Sequence, residues 1–439
     1  MMAYQISYSV EFALATPIMK RLGVSQVASA IIWLLGPISG FIVQPLAGHY
    51  SDIAHFKMGR RRPFIIVGCI GIVIGFLLLY FVEKIGGLFG KAKKGMSIFV
   101  FVFGLLELNV ATNTLQSPSR AIVGDIVPQS QQIIANTIGS LMLGLASIVT
   151  NLIGGLKLGD YTNGKFTNDE LTFIIGVVLI VICVTITIFC GKEETYTEEL
   201  PHENPFKKIF NAIKTIPKPV LRISIVYFFS WVANFPFQNT TTDFFASDIY
   251  GGVAGSTDPE LAKKYDDGKA FGMVTIAVSN ALVLLFSLVQ PTVIKFFGLK
   301  WAYAISQIIE AACLIPIFFV KNKWAALGLL SLIGISCAIF NSVPFAIIGM
   351  IVASESMGTY MGVLNCFCVL GQQVSSFALG SGIGALSDKK APILGSGSVF
   401  AAISAILCYW IIVPNQVENS RIEEPLINSE PVMAYSKEV

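Results

Sequence analysis

The sequence of 439 residues is poor in charge and in side chains that carry out chemistry. Lysine, arginine, aspartate and glutamate together make up 13% of it, and it has three histidines. The eight cysteines form no CxxC pair, which argues against a disulfide framework or a metal site. No nucleophile motif accompanies the histidines, so we expect neither an enzyme nor a cofactor. A net charge of +3 is too small to indicate a nucleic-acid partner.

Apolar residues, by contrast, are abundant, at 54% of the chain with a mean hydropathy of +0.71. A membrane crossing needs about 20 mostly apolar residues in one helix, because backbone polar groups must be paired within it. The sequence supplies twelve such runs and so predicts an all-α, multi-pass membrane protein in the lipid bilayer. The runs are Ala3–Met19, Val27–His49, Phe64–Val82, Ser97–Ser117, Ile133–Leu156, Leu171–Cys190, Leu221–Phe237, Phe271–Pro291, Trp301–Val320, Trp324–Ile348, Gly362–Gly384 and Ser398–Val413.

The longest polar interruption, Gly191–Arg222, separates six runs from six. IVQP in the second run recurs as LVQP, Leu288–Pro291, in the eighth, as expected of a duplicated six-helix unit. Likewise Asn136, Ser147 and Gly155 of the fifth run overlay Asn365, Ser376 and Gly384 of the eleventh at one offset. We therefore predict an N-terminal half at 1–190, a cytoplasmic central loop at 191–220, a C-terminal half at 221–413 and a short cytoplasmic tail at 414–439.

The strongest basic cluster follows the second run, and the positive-inside rule places it in the cytoplasm. An even number of crossings then puts both termini on that side. The loop between the third and fourth runs, with Lys84, Lys91, Lys93 and Lys94, goes against this rule because it would be basic and outside. The pattern is equally compatible with the plasma membrane and an internal membrane.

The segment GHYSDIAHFKMGRRRP places Asp52 at the end of the second run and an arginine cluster before the third. Carboxylate and guanidinium groups at apposed helix ends can form hydrogen bonds that close one side of a transporter and break in its other state. We therefore predict a gate formed by Asp52, Arg60, Arg61 and Arg62. The alternative is that the arginines only set topology and bind lipid phosphates.

WLLGPISGFIVQPLAGHYSD followed by GRRRPFI closely resembles the sucrose transporters of plants and their animal relatives, which are major facilitator superfamily members. Further matches are TLQSPSRA (Thr114–Ala121), FSWVANFPF and TTDFFASDIYGG (Phe229–Gly252), YDDG (Tyr265–Gly268), SVPFA (Ser342–Ala346) and MGVLN (Met361–Asn365). The resemblance implies a major facilitator fold that moves a disaccharide, typically sucrose, together with a proton. We expect it to act as a monomer.

The fourth run contains LLELNVATNTLQSPSR, in which Asn109, Asn113 and Gln116 follow helical spacing and Thr112 lies beside them. Amides both donate and accept hydrogen bonds, as sugar hydroxyls do, so this polar row is a candidate sugar-binding wall. Glu107 is about 200° from Asn109 around the helix and points away. The alternative is that the row only links helices by hydrogen bonds.

Intramembrane carboxylates are costly and often mark a functional site. Glu11 shares a helical face with Tyr8 and Tyr4, and Glu310 lies in the ninth run. Tyr8 and Glu11 are candidate sugar ligands, although Glu11 could instead pair with a neighbouring helix to hold the bundle. Further candidates, each of which could equally be a packing residue, are Asn136, Trp231, Asn234, Asn365 and Gln373.

The chain departs from its relatives where they carry an aspartate, the expected proton carrier, because Asn109 stands there. Ile133, Ala270-Phe271, Gln26 and Thr241 also stand where plant members have charged or ionisable residues. Proton coupling would then be relocated to Glu11 or Glu107, or be absent, which would leave a sugar facilitator. A transporter of another neutral solute stays open. A sugar sensor or scaffold is less favoured because it predicts a long cytoplasmic loop or tail.

Overall fold

The computed structural model describes residues 1–155, 168–193, 204–254, 256–387 and 389–413, and these form helices without a β-strand. Twelve helical segments coincide with the twelve predicted runs, which confirms the all-α fold. In chain order they are Met2–Arg21, Gln26–Trp33 with Leu35–Asp52, Arg62–Tyr80, Lys93–Ile126, Gln132–Gly155, Asn168–Cys190, Lys218–Asp243, Pro259–Phe297, Leu299–Leu314, Lys323–Phe340 with Val343–Ile351, Met357–Val374 and Ala391–Leu407. We refer to them as the first to the twelfth helix.

Eleven of these helices are long and apolar enough to cross a membrane. The first helix has 20 residues but is less hydrophobic, since it carries Tyr8 and Glu11 and ends in Lys20 and Arg21. It packs against the fourth, fifth and sixth helices, and Glu11 is buried there. The carboxylate of Glu11 therefore faces protein, which is how a membrane helix accommodates such a group.

Several helices are interrupted or locally widened. The second breaks at Leu34, and the tenth breaks at Asn341 and Ser342, before a segment that begins near Pro344. The seventh and eleventh continue into π-helical turns at Phe244–Ile249 and Ser375–Ile383. Such turns are rare in helices and frequent near functional sites.

The predicted central loop contains a helix, Pro205–Lys214, and the seventh helix begins at Lys218, inside the predicted loop range. The side chain of Asn204 accepts hydrogen bonds from the backbone of Phe206 and Lys207, so it caps the free amides at the start of this helix. Residues 194–203 of the loop and the predicted tail at 414–439 lie outside the described residues.

The apolar side chains form two large cores. One collects buried residues of the first to the sixth helices, such as Phe76 and Phe101, and the other collects those of the seventh to the twelfth helices, such as Tyr303 and Phe340. The two groups of helices meet where the second helix packs against the eleventh and the fifth against the eighth. Polar residues at these contacts, and within each group, are where a transport site can form.

Gly48 and Gly358 bring the second and eleventh helices into backbone contact. A β-carbon on Gly48 would lie 2.1 Å from the carbonyl oxygen of Gly358, and one on Gly358 would lie 2.5 Å from that of Gly48. Any larger residue at either position would push the helices apart.

Candidate functional site

Glu11 and Asn109 form a buried pair between the first and fourth helices. The amide nitrogen Nδ2 of Asn109 donates to Oε1 of Glu11 at 2.7 Å and to the carbonyl oxygen of Leu105 at 2.9 Å. The other carboxylate oxygen of Glu11, Oε2, is buried and has no hydrogen-bond partner among the described residues. Asn109, where the resemblance predicts an acid, therefore contacts the one acid of the first helix.

A second hydrogen-bond network joins four further polar side chains of the first, second and fourth helices. The hydroxyl of Tyr8 lies 3.1 Å from Oδ1 of Asn113 and 3.0 Å from Oε1 of Gln116, and its single proton can serve one of them at a time. Gln44 of the second helix donates to the same two oxygens at 2.6 and 2.9 Å. The structure thus brings Tyr8 of the first helix together with Asn113 and Gln116 of the polar row, and adds Gln44.

Gln44 was noted in the sequence only as part of the repeated IVQP phrase. Its counterpart in LVQP, Gln290 of the eighth helix, is also buried and donates to the hydroxyl of Ser342 at the break of the tenth helix. Each repeat therefore links its second helix to its fourth by a glutamine side chain. The repeated segments IVQP and LVQP thus mark two equivalent glutamine contacts, Gln44 with Asn113 and Gln290 with Ser342.

Thr112 is fully buried and its hydroxyl lies 2.7 Å from that of Ser7. This bond joins the first and fourth helices directly, which is the alternative that the sequence left open for the polar row. Glu107 lies on another face, where its Oε1 is next to Gly71 of the third helix. The helical wheel predicted this separation of Glu107 from Asn109.

The remaining sugar-binding candidates are dispersed. Asn365 of the eleventh helix approaches the carbonyl oxygen of Gly40 at 3.5 Å, near Asn113. Trp231 of the seventh helix packs its ring against Tyr227 and Phe340, and Gln373 is half-buried on the eleventh helix. Asn365 is thus the candidate from the later helices that lies nearest to the network of the first six.

Asn136 is not brought to this network. Its Nδ2 donates to the backbone oxygen and side chain of Gln132, and Gln132 in turn donates to the carbonyl oxygens of Val123, Gly124 and Val127. These groups are at the end of the fourth helix, about 20 Å along its axis from Asn109. Gln132 therefore satisfies helix-end carbonyls, and Asn136 holds the side chain of Gln132 in place.

The predicted gate residue Asp52, the last residue of the second helix, is fully buried against the start of the eleventh helix. Its Oδ1 accepts the backbone N–H of Gly358 at 2.8 Å, and its Oδ2 accepts the N–H of Thr359 at 2.8 Å and the hydroxyl of Thr359 at 2.6 Å. Free amides and the helix dipole make a helix N-terminus a good partner for a carboxylate. The main contact of Asp52 with the later helices is thus a helix end, and the expected arginine, Arg61, approaches from its own side at 2.7 Å.

Arg60 and Arg61 also link the two groups of helices. Both donate to the carbonyl oxygen of Ser354, which precedes the eleventh helix, and both pair with Asp125 at the end of the fourth helix, at 3.0 and 2.7 Å. Asp125 also accepts the hydroxyl proton of Ser354 at 2.7 Å. The sequence reasoning missed Asp125, although it lies in the last turn of its helix as Asp52 does in the second.

Arg62 is oriented elsewhere. Its side chain donates to the carbonyl oxygen of Ile188 at 3.2 Å and lies 3.7 Å from Glu193, both at the end of the sixth helix. The backbone N–H groups of Arg61 and Arg62 donate to the same carboxylate. Burial raises the pKa of Glu193, and these hydrogen bonds oppose that rise. Among the predicted gate residues, Arg62 therefore contacts only the side to which it belongs.

Arg120 is a further contact between the two groups of helices that sequence reasoning missed. It is buried on the fourth helix, and its guanidinium carbon lies 3.6 Å from the ring centroid of Phe345 in the tenth helix. It also donates to the carbonyl oxygen of Asn341 at 3.4 Å. A desolvated cation over an aromatic face contributes about 2 kcal/mol. The sequence feature that could have identified Arg120 is the segment TLQSPSRA, which ends in this arginine and Ala121.

Chemically, the site offers neutral hydrogen-bonding groups around a single carboxyl group. No cluster of histidine, cysteine, aspartate and glutamate within the described ranges could hold a metal ion. Such a set suits binding of a hydroxylated, uncharged molecule, with one group able to exchange a proton.

Comparisons with known proteins agree with this chemistry. Residues 1–257 match the family described as the Major Facilitator Superfamily. The sucrose transport protein SUT5 of Oryza sativa subsp. indica is 27% identical over 95% of this chain and 87% of its own length. The sucrose transport protein SUC4 of Arabidopsis thaliana is 27% identical over 96% of this chain and 89% of its own length. The resemblance found in the sequence is confirmed.

Solved structures are similar in fold. A structure of the fucose:proton symporter FucP of E. coli has a TM-score of 0.67 at 13% identity and covers 94% of this chain and 97% of its own. A bacterial homologue of the iron transporter ferroportin in an outward-facing state has a TM-score of 0.67 at 12% identity, covering 93% and 96%. At these identities the likeness concerns the fold alone.

Proposed function

The chain belongs to the major facilitator superfamily, and from that premise we propose that it transports a disaccharide, with sucrose as the first candidate, together with a proton. It is a transporter, not an enzyme. The similarity to sucrose transport proteins over most of both chains supports the substrate. The observation that carries the proposal is the Glu11–Asn109 pair, in which the amide that stands where the resemblance predicts the proton carrier donates to a buried acid.

The sugar site that we propose lies along the first, second and fourth helices. Tyr8, Asn113, Gln116 and Gln44 exchange hydrogen bonds with one another, and sugar hydroxyls can replace these partners one for one. When each hydrogen bond that is lost is replaced by one to the sugar, few polar groups remain unpaired, so the free-energy cost of binding the sugar is low. Asn365, across from Gly40, would contribute from the eleventh helix.

The proton carrier in this proposal is Glu11. Its unpartnered oxygen Oε2 is buried, and a buried carboxyl group favours its neutral form in the absence of a cation. The amide of Asn109 holds Oε1 and cannot itself titrate. In this proposal the proton is therefore bound by Glu11 of the first helix, the hydrogen-bond partner of Asn109, and not by residue 109 of the fourth helix.

Alternating access would use the gate at Asp52, Arg60, Arg61 and Asp125. In the present conformation these residues join the two groups of helices and close that end. Opening would exchange the bonds of Asp52 to the eleventh helix for water. We place this end, with its basic residues, in the cytoplasm together with both termini.

One observation favours a second candidate, an uncoupled sugar facilitator. Asn109 removes the acid that relatives use, and without a role for Glu11 the remaining site is neutral. Such a protein would move the same solute down its gradient.

Uptake of radiolabelled sucrose into proteoliposomes tests the substrate. We expect saturable uptake above that of protein-free liposomes, reduced by unlabelled sucrose or a second disaccharide and not by an uncharged amino acid. Absence of uptake for every disaccharide would reject the proposed substrate, and competition by unrelated neutral solutes would indicate another cargo.

A further inference from the structure

A second buried carboxylate, Glu310, lies within the ninth helix, in the group of helices that does not contain Glu11. Its side chain is fully buried. Asn234 of the seventh helix donates to its Oε1 at 3.1 Å, and Gln307 of its own helix donates to Oε2 at 3.3 Å. The hydroxyl of Ser336, from the tenth helix, also donates to Oε2. The carboxylate thus connects three helices.

No cation compensates this carboxylate. Among the ion pairs of the described residues none involves Glu310, and its electrostatic neighbours are the uncharged Tyr303 and Cys313 of its own helix and Cys337 of the tenth. A glutamine could keep the hydrogen bond from Asn234 on its one oxygen and donate to the hydroxyl oxygen of Ser336, without the cost of burying a charge in a membrane protein. An ionisable group at this place points to a function for its ionisation.

The surroundings accept both charge states. Ser336 donates to the ionised carboxylate, and because a hydroxyl also accepts, it can receive the proton of the neutral acid. Gln307 donates to the oxygen of Ser336 at 2.6 Å and keeps that hydroxyl in place. Binding of a proton therefore needs only a hydroxyl rotation.

Polar side chains connect Glu310 to the surface. Nε2 of Gln238, an exposed residue one turn along the seventh helix, donates to Oδ1 of Asn234 at 3.0 Å, and Asn234 donates to Glu310. Asn234 also directs Nδ2 to the sulfur of Cys337 at 3.2 Å. One amide is thus shared between the buried acid and the accessible face of the seventh helix.

We propose that Glu310 is a second proton-binding site, and that Asn234 couples it to solute binding. The coupling part rests on the proposed function. A solute hydroxyl that takes the amide of Asn234 removes one donor from the carboxylate, which then takes one proton from water. When the solute leaves, the amide returns and the proton is released to water. Solute and proton therefore favour each other's binding, as symport requires.

The test is infrared spectroscopy of the purified full chain in liposomes, as a function of pH. The carbonyl stretch of a protonated, buried carboxyl group should appear as the pH is lowered and disappear reversibly as the pH is raised. Glu310→Gln should remove the component of this signal that belongs to Glu310, and Glu11→Gln should leave that component in place. The control Glu83→Gln, which changes a half-exposed carboxylate near Arg21, should leave it in place. Addition of sucrose should move its midpoint in the wild type and not in Asn234→Leu.

Absence of any titrating band that Glu310→Gln removes would overturn the proposal, as would a band that responds to sodium at constant pH. If Glu310→Gln does not fold, Ser336→Ala retains the acid and should shift the midpoint, and an unshifted band contradicts the assignment. The infrared band does not depend on transport. If it is absent while sucrose uptake is present, only the inference about Glu310 fails. If it is present and sucrose is not the cargo, only the proposed substrate fails. The two failures are thereby distinguished.

Discussion

Asn109 donates a 2.7 Å hydrogen bond to Glu11, so the amide of the fourth helix and the acid of the first act as one unit. In this pair the acid alone can bind a proton, and its second oxygen has no partner among the described residues. The transport predictions below follow from this geometry and from the gate at Asp52.

Glu11→Gln should separate sugar movement from proton movement. Glutamine can still accept the hydrogen bond of Asn109 but cannot titrate, so an imposed pH gradient should no longer accelerate uptake. Exchange of labelled for unlabelled sucrose without a gradient should persist, which proteoliposome counterflow measures. Glu107→Gln is the matched comparison, because Glu107 lies against the third helix. If Glu107→Gln abolished the response of uptake to the pH gradient and Glu11→Gln retained it, the proton carrier would be Glu107.

Asn109→Asp should strengthen the pH dependence of transport. Two carboxyl groups at hydrogen-bond distance share a proton because both cannot ionise at low cost. Uptake should then fall more steeply as pH rises than it does in the wild type. An unchanged pH profile would show that this position is not that of the family's proton carrier.

Asp52→Asn should weaken the closed end of the protein. The carboxylate accepts four hydrogen bonds, including one from Arg61, and charge-assisted bonds contribute about 1.5–3 kcal/mol each. Loss of even one such bond shifts the population by on the order of 10-fold. A cysteine in place of the buried Ser117 should then be alkylated faster, as mass spectrometry of its peptide measures.

The arginines should differ in the same assay. Arg61→Gln should accelerate alkylation, because Arg61 contacts Asp52 and the carbonyl oxygen of Ser354. Arg62→Gln should have little effect, since its contacts are with the end of the sixth helix. Equal acceleration by both substitutions would contradict the gate described here.

Gly48→Ala should also prevent closure. The added methyl group would lie 2.1 Å from a backbone oxygen, which no rotamer change relieves, and overpacking of this kind costs about 1–3 kcal/mol or more. The melting temperature and the uptake rate should both fall. Gly328→Ala, where a β-carbon meets nothing within 4 Å, is the control and should behave as the wild type.

Apolar runs and turn residues predicted the twelve helices, because each run had to satisfy its own backbone inside a membrane. The polar row of the fourth helix was also readable, since helical spacing puts Asn109 and Asn113 on one face. The sequence did not reveal the partners of these residues, because contacts such as that of Gln44 with Asn113 depend on how helices pack against one another. For the same reason the sequence indicated the pairing of Asp52 with the arginines, which Arg61 makes, but not its hydrogen bonds to the start of the eleventh helix.

The central claim is that sucrose and a proton move together through Glu11, and internal pH tests it most directly. Proteoliposomes containing a pH-sensitive dye, with no imposed gradient, receive external sucrose while uptake of labelled sugar is followed in parallel. The account predicts acidification of the interior with wild-type protein, and sugar uptake without acidification for Glu11→Gln. Sucrose uptake by the wild type with no change of internal pH would contradict it.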